Sequence, residues 1–272
     1  MRSIRPVTGR WHLAGLKEAI SWCRVCNERG ISGIMHPLGE FAEDQEAAEE
    51  SGRAYEDCIS AIHQHGLNAS VAVKPSAIGA ALQPQTFQEL LEQIISQATA
   101  KRVAVGIDME GTPLVQDTIK GAIRAAEQGY AITLTLQAYL ERTPADISLM
   151  ADKGISVRLV KGTYIGDLHQ RDEITEAFKN QAFLLARMHQ DFAVGTQDMD
   201  LIQWLQDSIP EARSRITFGF LKGLGTETML GMANAGWKVQ EYIPYGENHG
   251  TYDRRREIYL ASLTSSRIRP LP

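Results

Sequence analysis

The chain has 272 residues, 43% of them hydrophobic, and a formal net charge of −5. That length can bury one large core, so a single α/β domain accounts for it, and the acidic balance excludes a general nucleic-acid binder, which needs a basic face to neutralise phosphates. Three cysteines are too few for a disulfide framework, which points to a reducing, cytoplasmic setting.

The N-terminal MRSIRPVTGRW has no apolar signal-peptide core, and no apolar run approaches the ~20 residues of a membrane span. The helical pattern LKEAISWCRVCNERG follows. Its Cys23 and Cys26 form a C-x-x-C, but no second ligand pair lies nearby, so both are read as packing residues.

Eight runs then alternate in the manner of strands, each followed by an amphipathic stretch. They are ISGIMH near 31 to 36, NASVAVK at 68 to 74, RVAVGID at 102 to 108, YAITLTL at 130 to 136, ISVRLV at 155 to 160, DFAVGT at 191 to 196, SRITFGF at 214 to 220 and WKVQEYIP at 237 to 244. The segments between them repeat apolar residues at three and four, and several close on a glycine just ahead of the next strand: Gly30, Gly66, Gly129, Gly154 and Gly236. Eight strand-helix units predict a closed (β/α)8 barrel of TIM type, one domain over 1–272, with the last helix over the mouth and a short flexible tail from about 264; a doubly wound sheet is the alternative.

The period of two sorts each run into faces. Val71, Val73, Val105, Ile107, Leu134, Leu136, Val157 and Leu159 make a bulky face suited to packing under helices. Ser70, Ala72 and Lys74, Ala104, Gly106 and Asp108, Thr133, Thr135 and Gln137, and Ser156 with Arg158 make a small or polar one that leaves room inside a barrel. A charge at the tip of a buried strand is costly without a partner, so Lys74, Asp108, Gln137, Arg158, Lys161 and Tyr242 are expected to converge on one polar site at the C-terminal rim. In YIPYGENHGTYDRRREIY, a helix over 251 to 260 places Tyr252, Arg255 and Arg256 on one face. Paired guanidiniums clamp a small carboxylate or phosphate, with Lys74 as a third cation and Glu40 or Asp108 as balancing acids. A Glu40 to Arg255 pair would act as a gate.

The ordered set LGE at 38 to 40, VKPSAIG at 73 to 79, IDMEGT at 107 to 112, LQAYLERT at 136 to 143, RLVKGTY at 158 to 164, GTQD at 195 to 198, and YIPYG with YDRRR resembles the FAD-dependent proline dehydrogenase family, in its compact monofunctional form. The resemblance implies hydride transfer from C5 of L-proline to flavin N5, giving Δ1-pyrroline-5-carboxylate. It implies catalytic roles for Asp108 and Arg158, flavin contacts from Met109, Gln137, Arg158, Lys161, Gly162, Thr163, Thr196 and Gln197, and a substrate site of Lys74, Arg255, Arg256, Tyr242, Tyr252 and Leu221. It also implies a quinone as electron acceptor, hence peripheral contact with the inner face of a membrane. Departures from the family pattern are Gln197 for a histidine, Thr163 for a smaller residue, the segment Thr217 to Gly223, Ile258 with Tyr259 after the arginines, and His249 for an aromatic. Three other readings remain open: oxidation of a related cyclic or N-alkyl amino acid, a Schiff-base lyase using Lys74, and a proline-binding barrel without flavin.

Overall fold

The computed structural model describes residues 11–164, 166–188 and 190–265, with side chains up to residue 258. In chain order the elements are α1 (Leu16–Asn27), β1 (Ser32–Pro37), α2 (Gln45–Gln64), β2 (Ala69–Val73), α3 (Pro84–Ala100), β3 (Ala104–Ile107), α4 (Thr112–Glu127), β4 (Ile132–Gln137), α5 (Thr143–Asp152), β5 (Ser156–Val160), α6 (Arg171–Arg187), β6 (Phe192–Gly195), α7 (Met199–Ser208), β7 (Ile216–Leu221), α8 (Thr226–Asn234), β8 (Lys238–Tyr245) and α9 (Gly250–Ser265). The eight strands close into a barrel in sequence order, β8 pairing back on β1, and every pairing is parallel. All eight predicted strands are present, and the open-sheet alternative is excluded by closure. The expected tail lies outside the described residues beyond Ser265.

Local chemistry explains the element ends. Asp44 caps α2 through a hydrogen bond from Ala47 N (2.9 Å), Asp198 caps α7 by accepting from Leu201 N, and prolines occupy the first turns of α3, α4 and α5, where a missing N–H costs nothing. The five glycines singled out as helix stops all have positive φ, between 59° and 88°. A Cβ there would meet nothing within 4 Å, so backbone conformation and not crowding selects glycine. After α3 the chain makes this turn without one, and Arg102 takes φ 57° instead.

The bulky faces form the core between barrel and helices, with Val71, Val73, Ile107, Leu134 and Leu159 fully buried. Cys23 and Cys26 are buried in α1, as expected of packing residues, and burial raises the thiol pKa of Cys23 to about 11. Lys74 and Asp108 fall one residue past the ends of β2 and β3, and Gln137 closes β4. The parallel register therefore delivers the polar tips to one end of the barrel.

Candidate active site

Asp108 is the hub of the rim. Its carboxylate accepts a hydrogen bond from Tyr242 OH (2.7 Å), forms a close ion pair with the Arg158 guanidinium, and lies 3.8 Å from Lys74 Nζ. Arg158 is steadied by Thr135 Oγ1, 3.0 Å from Nε and 2.7 Å from Nη2, because Thr135 and Arg158 are register partners on β4 and β5. Burial pushes the Asp108 carboxyl up, but Arg158 and Lys74 more than reverse this and hold it below the usual carboxylate range.

Glu40, just beyond β1, accepts from both Nη atoms of Arg255 on α9 and lies 3.3 Å from Lys74 Nζ. Its carboxyl is likewise lowered, burial being outweighed by Lys74 and Arg255. Lys74 is pushed upward: burial opposes its charge, while Tyr164, Asp108, Glu110 and Glu40 favour it. The expected Glu40–Arg255 ion pair is thus formed in the structure. The three expected clamp cations are not equivalent, however, since Lys74 and Arg255 already share Glu40. Arg256 differs from both. It is 6% exposed, stands over the Tyr252 ring at 4.7 Å, and its Nε is buried with no hydrogen-bond partner.

These side chains line one cavity at the barrel mouth, with about 1040 Å³ of empty space including its opening. Lys74, Asp108, Met109, Gln137, Arg158, Lys161, Gly162, Thr163, Thr196, Gln197, Leu221, Tyr242, Tyr252, Arg255 and Arg256 all face it. Every site residue named from sequence is there except Glu40, which reaches it through its two cationic partners. Within the wall Lys161 is held by Asp198 (2.8 Å) and Thr175 (3.0 Å). Gln137 donates to Glu110 O (2.9 Å) and accepts from Tyr139 OH (2.7 Å).

Several participants escaped the sequence reading. Tyr164 lies 3.4 Å from both Lys74 Nζ and Glu110 Oε1, with Arg255 above its ring at 5.3 Å, although it sits inside the motif RLVKGTY. Glu110 is fully buried and anchors the start of the turn after β2 through Ser76 N (2.7 Å) and Ser76 Oγ (2.8 Å). Thr135 carried the signal of an inward register position beside Arg158. His36, at the tip of β1, resembles the other charged tips but was not grouped with them.

His36 is fully buried, and its Nδ1 donates to Ala72 O at 2.9 Å. Burial first, and then the Lys74 ammonium, lowers its pKa from 6.5 to about 4. An unfolded imidazole binds a proton below pH ~6.5 and the folded one only below about 4, so stability is full above that window, falls across it, and levels off beneath. The expected loss is about 3 kcal/mol. Denaturant midpoints measured through the window should show it, and His36→Asn should abolish that part of the dependence.

Fold and rim together define a (β/α)8 barrel with its polar chemistry gathered at the C-terminal ends of the strands, the arrangement found in barrel enzymes. Residues 22–253 match the family model described as Proline dehydrogenase. The chain belongs to the proline dehydrogenase family, oxidoreductases of proline catabolism. It is similar to Proline dehydrogenase 1 of Bacillus subtilis (strain 168), 27% identical over 254 residues, covering 89% of this chain and 82% of that protein. It is also similar to the Deinococcus radiodurans proline dehydrogenase, 23% identical over 270 residues, covering 90% and 86%. Among solved structures, proline utilization A from Bdellovibrio bacteriovorus, inactivated by N-propargylglycine, superposes with a TM-score of 0.82 at 16% identity, over 91% of this chain. That likeness supports the fold alone, and the chain spans only 32% of that longer protein.

Proposed function

We propose that this chain oxidises L-proline to Δ1-pyrroline-5-carboxylate with FAD as its resident cofactor. The observation that carries the substrate assignment is the buried Arg256 Nε without a partner, on a rim where Lys74 and Arg255 must share Glu40. Five cations, Lys74, Arg158, Lys161, Arg255 and Arg256, line the cavity; Glu40 is shared by Lys74 and Arg255, Asp108 faces Arg158, and Asp198 holds Lys161, which leaves the rim with an excess of positive charge. A monocarboxylate reduces that positive excess and gives the buried Arg256 Nε an acceptor.

The cavity wall suits a flat aromatic group. Gly195 and Gly219 are register partners that both face the cavity, and a Cβ on Gly219 would make only ordinary contacts, with Val194 O at 3.5 Å and Gly195 Cα at 3.7 Å. A Cβ on Gly195 would instead lie 2.9 Å from Val160 Cγ1, so crowding selects glycine at Gly195 while Gly219 has room for a side chain, and together they leave this part of the wall without one. Gly162 has φ 120°, and a Cβ there would lie 1.8 Å from Tyr139, so main chain alone fits between ring and cavity. Lys161, Thr163, Thr196 and Gln197 supply donors, Gly162 the close backbone approach, and Met109 and Gln137 further contacts. When bound, FAD supplies a two-electron acceptor for the hydride leaving the ring carbon beside the amine nitrogen.

The chain's own residues do the rest. Arg255, Arg256 and Lys74 hold the carboxylate and so fix which ring carbon faces the cofactor, while Tyr242, Tyr252 and Leu221 wall the ring. Positioning of this kind is worth up to roughly 7–11 kcal/mol. Asp108 keeps Arg158 and the Tyr242 hydroxyl in place, and Arg158 offers positive charge where hydride acceptance leaves negative charge. The Glu40–Arg255 pair opens to admit substrate, whose carboxylate takes over the contacts that Glu40 gives up. Reoxidation is assigned to a membrane quinone reached by peripheral contact; among the described residues no helix is long and apolar enough to cross a membrane.

The Schiff-base alternative needs a neutral lysine, whereas Lys74 lies 3.3 Å and 3.8 Å from two carboxylates that favour its charge. Purified protein should carry the visible flavin spectrum. Anaerobic L-proline should bleach it, with the product trapped by o-aminobenzaldehyde. Colourless protein that takes up no added FAD would overturn this reading.

A further inference from the structure

We propose that His12, His249 and Asp253 form a binding site for a divalent transition cation of the zinc class, at the root of α9. The two imidazole Nδ1 atoms address the two oxygens of one carboxylate: His12 to Oδ1 at 3.1 Å and His249 to Oδ2 at 2.8 Å. One ligand atom from each of the three residues lies within 4.8 Å of the other two. Neighbouring ligand atoms around tetrahedral zinc, with bonds of ~2.0–2.1 Å, stand about 3.3 Å apart. The two nitrogen–oxygen distances fall a few tenths of an ångström short of that separation, and small side-chain turns suffice to reach it.

Backbone hydrogen bonds fix all three ligands. Asp253 N donates to His249 O at 2.8 Å, so the pair sits four residues apart across the first turn of α9. His12 arrives from the opposite end of the chain, where Leu13 N donates to Pro244 O (2.9 Å) and Gly246 N to Leu13 O (3.0 Å), locking this segment against the end of β8. The neighbouring Tyr252 packs with Trp11, Leu38 and Leu224. The ligand backbones are therefore placed before any cation arrives.

Each Nδ1 now faces an oxygen of Asp253, and coordination through Nδ1 requires the tautomer with its proton on Nε2, so in a neutral imidazole the proton moves across the ring and none is lost. The imidazole rings are stacked at 3.9 Å with planes 14° apart, and must turn out of that stack to aim their in-plane lone pairs at one ion. Side-chain exposures of 13%, 24% and 44% for His12, Asp253 and His249 leave room for that turn and for water as a fourth ligand. Two imidazoles with one carboxylate select zinc, cobalt, nickel or copper over magnesium or calcium. Occupancy cross-links the N-terminal segment to the helix bearing Tyr252, Arg255 and Arg256. It also gives a role to His249, which departs from the family's aromatic.

The test uses full-length, tag-free protein treated with a chelator and titrated with cobalt(II) chloride. Difference spectra should show ligand-field bands saturating at one equivalent, without thiolate charge transfer, and zinc chloride should displace them. His12→Ala and His249→Ala should each weaken binding at least tenfold, and zinc should raise the melting temperature of the unsubstituted protein but of neither variant. The two substitutions lie at opposite ends of the chain, so either folded variant decides the matter. Absence of bands at one equivalent, or affinity unchanged in a folded variant, overturns the site, and neither result depends on flavin content.

Discussion

Replacing Arg256 by methionine is expected to lower kcat/KM for L-proline about 10³-fold while leaving flavin content unchanged. Methionine keeps most of the buried aliphatic stem against Tyr252 and removes the guanidinium. Truncating one partner of a desolvated charge pair costs about 2–5 kcal/mol, and each 1.4 kcal/mol is tenfold. If Arg256 only binds, KM carries the whole loss; if it also aims the ring carbon, kcat falls with it. Steady-state kinetics beside the flavin spectrum separates these cases. A change under threefold in a flavin-replete variant would remove Arg256 from the clamp.

The second large effect falls on Asp108. Asparagine at this position preserves shape and removes the charge that faces Arg158 and Lys74, leaving two buried cations short of an anion. Breaking a buried pair in this way costs about 3–5 kcal/mol. For a domain of this size that is a fall in melting temperature of roughly 6–20 °C, to be measured on flavin-free protein. Because the folded carboxyl is held below its usual range, its stabilising contribution is present above the unfolded pKa and disappears as pH drops through the lowered value. Asp108→Asn should therefore lose this carboxylate's share of the acid-side fall in stability, while the share that belongs to His36 and Glu40 remains. Activity should fall by at least 10²-fold, since the same carboxylate holds the Tyr242 hydroxyl. A stable, fully active Asp108→Asn protein would show that the rim tolerates uncompensated charge.

The barrel was legible from sequence because its determinants are local. Period-two alternation marked each strand and glycine marked the stops, and both depend on residues within one turn or pleat of one another. Convergence of Lys74, Asp108 and Arg158 followed from the cost of burying charge at strand tips. What stayed hidden depends on pairings between distant segments. Nothing in the motif around Tyr164 says that its hydroxyl bridges Lys74 and Glu110, and nothing near His12 announces Asp253, 241 residues away. Which guanidinium keeps a buried nitrogen without a hydrogen bond is also a three-dimensional property. In the string YDRRR the last two arginines look alike, and only the position of Glu40 distinguishes Arg255 from Arg256.

Glu40 occupies in advance one of the berths that an incoming carboxylate would take. Loading this mouth is then an exchange of anions, in which a newcomer must offer Arg255 and Lys74 at least what Glu40 already gives them. Cyclic amines of the right size but without a negative group bring nothing to trade. They would be turned away at the rim by charge, before the shape of the cavity has any chance to discriminate.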